Sequence, residues 1–62
     1  MNPEVWTILE KRVNKVPDGI ELVLVVSRED YEGRRHVRSA IVSGATFHTK
    51  NEGDTVILSV RP

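Results

Sequence analysis

Turn-forming residues recur at three places and divide the chain into segments that each suit one secondary-structure element. Residues 17–19 (Pro-Asp-Gly), 30–33 (Asp-Tyr-Glu-Gly) and 51–54 (Asn-Glu-Gly-Asp) combine residues that favour turns with a glycine that accepts positive φ. Between the first two turns, residues 20–27 are nearly all aliphatic and β-branched, which is typical of a strand. Short segments joined by such turns predict an antiparallel sheet, and 62 residues allow one small domain spanning 1–62.

The segment before the first turn is predicted to be an amphipathic helix. Asn2 suits an N-cap, Pro3 suits the first helical position, and Pro17 prevents continuation. A strand over residues 5–9 is the competing prediction, because β-branched and aromatic residues favour sheets. At about 100° per residue, however, the apolar side chains fall within an arc of about 160°, which favours the helix. These side chains are Val5, Trp6, Ile8, Leu9, Val13 and Val16.

The remaining segments predict strands. A second strand begins at Arg34 and runs through Val42, Gly44 marks a bend or bulge, and residues 45–50 continue the strand beyond it. Residues 55–60 form the last strand, in which Val56, Leu58 and Val60 occupy alternate positions. The sequence therefore predicts an α+β fold: an N-terminal amphipathic helix followed by a three- to four-stranded antiparallel β-meander, which the bend at Gly44 could close toward a small barrel.

The predicted sheet has more apolar surface than one helix can cover. The strand over residues 20–27 carries aliphatic side chains on both faces, and a helix of about 14 residues is roughly 20 Å long. The second face is therefore expected either to close into a barrel or to bind another molecule, in the simplest case a second copy. The predicted interface residues are Val23, Val25, Ala40, Val42 and Ile57.

The register of the hairpin at residues 30–33 decides which side chains accompany Val23 and Val25. A two-residue turn would place Ala40 and Val42 beside them. A three-residue turn with a glycine bulge would place Val37 and Ile41 there instead. The sequence leaves both registers open, although the surplus of apolar surface persists in each.

An arginine-rich strand is the second candidate for function. Alternation places Arg34, His36 and Arg38 on one face, where arginine side chains would suit phosphates. The predicted nucleic-acid-binding residues are Arg34, Arg35, His36, Arg38, Lys50 and, as a base-stacking residue at the hairpin tip, Tyr31. Two observations oppose this reading: nine basic residues balance nine acidic ones, and charges on a strand also stabilise sheets or protect edges.

Several classes of function are not expected from this composition. The chain has no cysteine, so disulfides and thiolate metal sites are excluded, and the spacing of its two histidines predicts no metal site. No nucleophile motif or glycine-rich phosphate loop is present, and a domain of this size has little room for a substrate pocket. The longest apolar run, residues 22–26, is too short for a membrane span. We therefore expect a cytoplasmic, non-enzymatic domain without a cofactor.

Together these features predict a small homo-oligomeric binding module, most simply a dimer, with nucleic acid as its favoured ligand through the arginine strand. The alternative is a protein-interaction module, such as a small adaptor or inhibitor, that docks through the apolar sheet face. Salt dependence distinguishes them, since nucleic-acid affinity falls steeply with salt and apolar docking barely changes.

Overall fold

The computed structural model describes residues 3–59, which form a four-stranded antiparallel sheet curled into a half-barrel, with one short helix. The elements are β1 (Pro3–Val16), β2 (Gly19–Glu29), β3 (Arg35–Ile41), α1 (Gly44–Thr49) and β4 (Thr55–Ser59). The strands lie in the order β3-β2-β1-β4 across the sheet, so β3 and β4 are its edges. The helix α1 lies between β3 and β4 in the chain.

The predicted N-terminal helix is wrong, and with it the helix-first α+β fold. Its residues form β1, a 14-residue strand that pairs with β2 from Thr7 to Val16 and with β4 from Pro3 to Thr7. This pairing supplies the hydrogen bonds that a helix would have satisfied locally. The proposed N-cap, Asn2, and the last residue of the predicted final strand, Val60, lie outside the described residues.

Apolar side chains on both faces of β1 explain why this segment resembles a helix in sequence. The register shifts between the Ile8–Val26 and Glu10–Val25 pairs, so Leu9 is an extra residue at a β-bulge and interrupts the two-residue alternation. Of the apolar side chains that fall on one helical arc, Trp6, Ile8 and Val13 lie on one face of the sheet, whereas Val5 and Val16 lie on the other.

The structure also replaces the predicted continuation of the second strand with α1. Ser43 caps this helix, because its hydroxyl accepts a hydrogen bond from the Thr46 backbone N–H at 3.2 Å. Phe47 is the buried residue of the helix. With six residues, α1 is far too short to cross a membrane, and it is the sole α-helix within residues 3–59.

The second predicted hairpin turn, residues 51–54, connects α1 to β4 rather than two neighbouring strands. The Gly53 N–H donates to the Ile8 carbonyl at 2.9 Å, and the Ile8 N–H donates to the Asp54 carbonyl at 2.8 Å. The turn is therefore attached to β1 next to the bulge, and β4 starts in register with Thr7.

The core lies on one face of the sheet, which we call the concave face; the opposite side is the convex face. Ile8, Leu24 and Val26 are almost completely buried there, at no more than 1% exposure. Phe47 packs on this face from α1, so the helix covers part of the half-barrel interior. The whole core cluster is Trp6, Ile8, Leu24, Val26, Phe47 and Val56, with Leu22, Val42 and Leu58 packed against it.

The β2–β3 hairpin adopts the second of the two registers considered above. Val23 pairs with Ile41 and Ser27 pairs with Val37, so Val37 and Ile41 accompany Val23 and Val25 on the convex face. The Gly33 N–H donates to the Asp30 carbonyl at 3.0 Å, and Gly33 has φ of 78°. This is a three-residue loop closed by a glycine in the left-handed region.

Candidate functional site

The predicted arginine strand does not form a single row of free cations. Arg34 precedes β3, and its guanidinium bonds the Glu32 carboxylate at 2.8 Å. Arg35 lies opposite Glu29 on the convex face. His36 and Arg38 lie on the concave face, so the strand divides its cations between the two faces of the sheet.

The remaining two predicted nucleic-acid-binding residues lie apart from this strand. Tyr31 occupies the tip of the β2–β3 hairpin and is fully exposed. Lys50 follows α1 and lines a different surface, with Thr46 and Thr55. The structure therefore brings His36 and Arg38 together, leaves Tyr31 projecting from the hairpin tip, and separates Lys50 from them.

Two arginines and the single tryptophan form a groove at the end of the concave face next to the β2–β3 hairpin. The Arg28 guanidinium lies 5.2 Å from the centroid of the Trp6 ring, and that of Arg38 lies 5.8 Å from it, both within cation–π range. The groove has a volume of about 280 Å³. We call it the arginine–tryptophan groove; its lining residues are Glu4, Trp6, Arg28, His36, Val37 and Arg38.

Most charges in this groove are neutralised locally. The Arg28 guanidinium forms an ion pair with the Glu4 carboxylate at 2.7 Å, and His36 Nε2 lies 2.9 Å from Asp30 Oδ2. Arg38 forms no ion pair with any residue in the described range 3–59. Among these residues the groove thus has one arginine without an ion-pair partner, rather than the phosphate-binding row that the sequence suggested.

Two buried donors in the groove lack acceptors within the described part of the chain. They are Trp6 Nε1 and Arg28 Nε. Both atoms can only donate hydrogen bonds, so a ligand that matched them would carry an acceptor such as a carbonyl, carboxylate or phosphate oxygen. This observation is independent of the ion pairs and marks the groove as a candidate binding site.

Asp30 holds the hairpin beside the groove in one conformation. Its Oδ1 accepts hydrogen bonds from the backbone N–H groups of Glu32 and Arg34, at 2.9 and 3.0 Å. The hydrogen bond with His36, followed by those from the backbone, lowers the pKa of Asp30 below its ordinary range. Near neutral pH the carboxylate is therefore charged, and it fixes the hairpin tip that presents Tyr31.

Sequence reasoning missed the groove residues Glu4, Trp6 and Arg28. Trp6 was expected to lie in the core on a helix, and it is indeed buried, at 4% exposure, but from a strand. Its contact with Arg28 depends on the β1–β2 pairing, which the helix prediction excluded. The position of the two arginines near Trp6 can be predicted only when that strand pairing is known.

The convex face is a second candidate surface. Four of its aliphatic side chains are 60–69% exposed, and they share the face with the buried Val23 and the half-buried Val25. Of the predicted interface residues, Val23, Val25 and Ile57 lie on this face. Ala40 and Val42 do not, because the register directs them to the concave side. The four exposed side chains are Val5, Val37, Ile41 and Ile57.

Comparisons with protein-family models, curated proteins and solved structures found no match. Among residues 3–59, no group of three or more histidine, aspartate or glutamate side chains is arranged to hold a metal ion. The geometry of the two surfaces is therefore the basis for the functional proposal.

Proposed function

We propose that this chain is a homo-oligomeric binding module that self-associates through its convex sheet face. The observation that supports the proposal is the exposure of Val5, Val37, Ile41 and Ile57 on one continuous face of a very small domain. Scattered surface aliphatic residues need no explanation, but a patch on one face indicates an interaction site.

The charges on this face suit a second copy as the partner. A two-fold interface must be self-complementary, so each copy has to supply both members of any charged pair. The convex face carries Glu10 bonded to Arg12 at 2.9 Å, and Glu29 opposite Arg35. The Arg12 guanidinium lowers the pKa of Glu10, which keeps that carboxylate ionised. The apolar patch is thus accompanied by balanced charges that could pair between copies.

The expected association is moderate in strength. Full burial of an aliphatic side chain is worth about 1.5–3 kcal/mol, and roughly two thirds of that remains available at each exposed position. Four such side chains on each copy together contribute on the order of 8–16 kcal/mol. Association costs on the order of 4–15 kcal/mol, so we expect a reversible dimer whose population depends on concentration.

Val37→Lys tests this interface. The substitution places an ammonium group in the buried patch, which costs several kcal/mol, and we expect dimer affinity to fall by about a hundredfold or more. Sedimentation velocity across concentration measures the effect. Val13→Lys is the matched control, because Val13 is similarly exposed, at 54%, but lies on the other face of the sheet, opposite Leu22.

The two variants together separate the possible results. A folded monomeric Val37→Lys chain beside a dimeric Val13→Lys chain supports the proposal. A native chain that stays monomeric up to millimolar concentration contradicts it, and so does equal dissociation of both variants.

Nucleic-acid binding is the second candidate, favoured by the exposed Tyr31 and by Arg38, which lacks a carboxylate partner within the described residues. Tyr31 would stack on an unpaired base and Arg38 would contact a phosphate. The neutral net charge and the locally paired Arg28, Arg34 and His36 make this candidate weaker than self-association.

Fluorescence anisotropy with single-stranded DNA and RNA tests this candidate. Arg38→Gln should weaken binding and reduce the slope of log affinity against log salt concentration by about one unit, as expected for one lost phosphate contact. Arg12→Gln on the convex face should change neither the affinity nor the slope. Tyr31→Ala should weaken binding to single strands by about 1–3 kcal/mol. Absence of binding by the native chain at low salt would eliminate the candidate.

A further inference from the structure

The two edges of the half-barrel border one apolar cavity. Its volume is about 200 Å³, and its floor is formed by Leu24 and Val26 of β2. Ala40 borders it on the β3 side, and β4 borders it on the other side. The remaining lining residues are Val42, Ser43, Thr46, Val56, Ile57 and Leu58.

Both borders of the cavity are strands with one unpaired edge. In residues 3–59 no further strand lies outside β3 or β4, so alternate backbone N–H and C=O groups on each outer edge have no partner within the sheet. A ligand that only filled the apolar cavity would leave these groups unsatisfied. An extended polypeptide would fill the cavity with alternate side chains and pair with the edges through its backbone.

Within the described residues, the β4 edge lacks the usual protection against such pairing. Natural edge strands are blunted by charged residues, proline or bulges, and β3 follows this rule with Arg35, His36 and Arg38. The five residues of β4 are Thr-Val-Ile-Leu-Ser, without a charge or a proline. An unprotected edge of high β-propensity beside an apolar cavity is expected to be covered by another strand.

The charge next to the cavity indicates the chemistry of that strand. Arg38 pairs with Val26, which forms part of the cavity floor, and lies two residues before Ala40 on the same face of β3. It has no carboxylate partner in the described range. An acidic side chain at one end of the bound strand would supply this partner.

The topology also sets the direction of the bound strand. The pairs β1–β2, β2–β3 and β1–β4 are all antiparallel, so β3 and β4 run in opposite directions. A strand paired antiparallel with β4, the slightly more stable arrangement, runs in the same direction as β3. Because Arg38 precedes Ala40 along β3, the acidic residue belongs at the amino-terminal end of that strand.

We propose that the cavity between β3 and β4 binds an extended segment of another polypeptide, which pairs with the β4 edge, places alternate aliphatic side chains in the cavity and directs an amino-terminal acidic residue to Arg38. This site uses the concave side of the sheet and does not depend on self-association through the convex face.

A blocked seven-residue peptide tests the proposal on the full chain. It begins with aspartate and then alternates threonine with three valines, so the aspartate and the valines share one face. Titration should shift the backbone amide resonances of Val56, Ile57 and Leu58 and slow the exchange of the outward-facing amides among them. The reversed sequence, with aspartate last, should bind up to about fivefold more weakly, because its carboxylate cannot reach Arg38. The same peptide with serine in place of valine should not bind.

Arg38→Gln tests the charged contact. It should weaken binding of the aspartate peptide up to about fivefold, as expected for a partly exposed ion pair. It should leave an asparagine version of the peptide unchanged, so a double-mutant cycle isolates the contact. Lys15→Gln is the control and should have no effect, because Lys15 is exposed, lies beside the turn at residues 17–19 and does not line the cavity.

Three results would overturn the proposal. One is equal binding of the serine and valine peptides, and another is equal binding of the forward and reversed sequences. The third is pairing of β4 with β4 of a second copy. It would be seen as amide protection in β4 that is lost on dilution and that does not arise from adding peptide. Sedimentation of Val37→Lys tests the convex interface separately, so failure of either proposal leaves the other measurable.

Discussion

Ile8→Ala is expected to lower the free energy of unfolding by about 2–5 kcal/mol, whereas Leu9→Ala should lower it by less than about 1 kcal/mol. Ile8 is 1% exposed and lies in the core on the concave face. Leu9 is the extra residue of the β-bulge and is 42% exposed. These neighbours have nearly the same volume, so the difference between them measures burial directly.

Urea denaturation of the two variants gives this comparison. For so small a domain, the loss at Ile8 is a large part of the total stability, and the variant should be substantially unfolded at equilibrium. A helix over residues 3–16 would instead place both side chains on the apolar arc and make the two losses similar. Equal destabilisation would therefore contradict the strand and its bulge.

Phe47→Ala should remove α1 from the folded structure and cost about 3–5 kcal/mol. A helix of six residues is not stable in isolation, so it depends on tertiary packing. Phe47 provides that packing: it is 8% exposed within the core, and the Lys11 ammonium lies 4.5 Å from the centre of its ring. Loss of the ring removes both the buried surface and this cation–π contact.

Hydrogen exchange along α1 measures the effect of Phe47→Ala, with urea denaturation as the second readout. His48→Ala is the control, because His48 is exposed and contacts Phe47 only at the edge of its ring, with 5.6 Å between centroids. We expect a loss below about 1 kcal/mol for the control. Retention of α1 protection in Phe47→Ala would show that Ser43 capping and local contacts are sufficient for the helix.

Local signals in the sequence were sufficient for part of the fold. The aliphatic residues of β2, the glycine-closed hairpin at residues 30–33 and the antiparallel sheet were all predicted, because turn chemistry and strand composition act over a few residues. The surplus of apolar surface was also predicted, and the convex face carries it. Val23, Val25 and Ile57 lie there as expected, since alternation along a strand is a local property.

Non-local pairing explains the rest. β1 lies between β2 and β4, and its pairing with residues 55–59, about fifty positions away in the chain, has no signature in its own sequence. Apolar side chains on both faces of β1 and at the bulge together give its sequence an apparent helical period. The sequence predicts a strand over residues 45–50, but α1 forms there because burial of Phe47 depends on how the sheet curls. Local periodicity reports which side chains are apolar along a segment, whereas hydrogen-bond partners and the shared cavity between β3 and β4 exist only once the sheet has assembled.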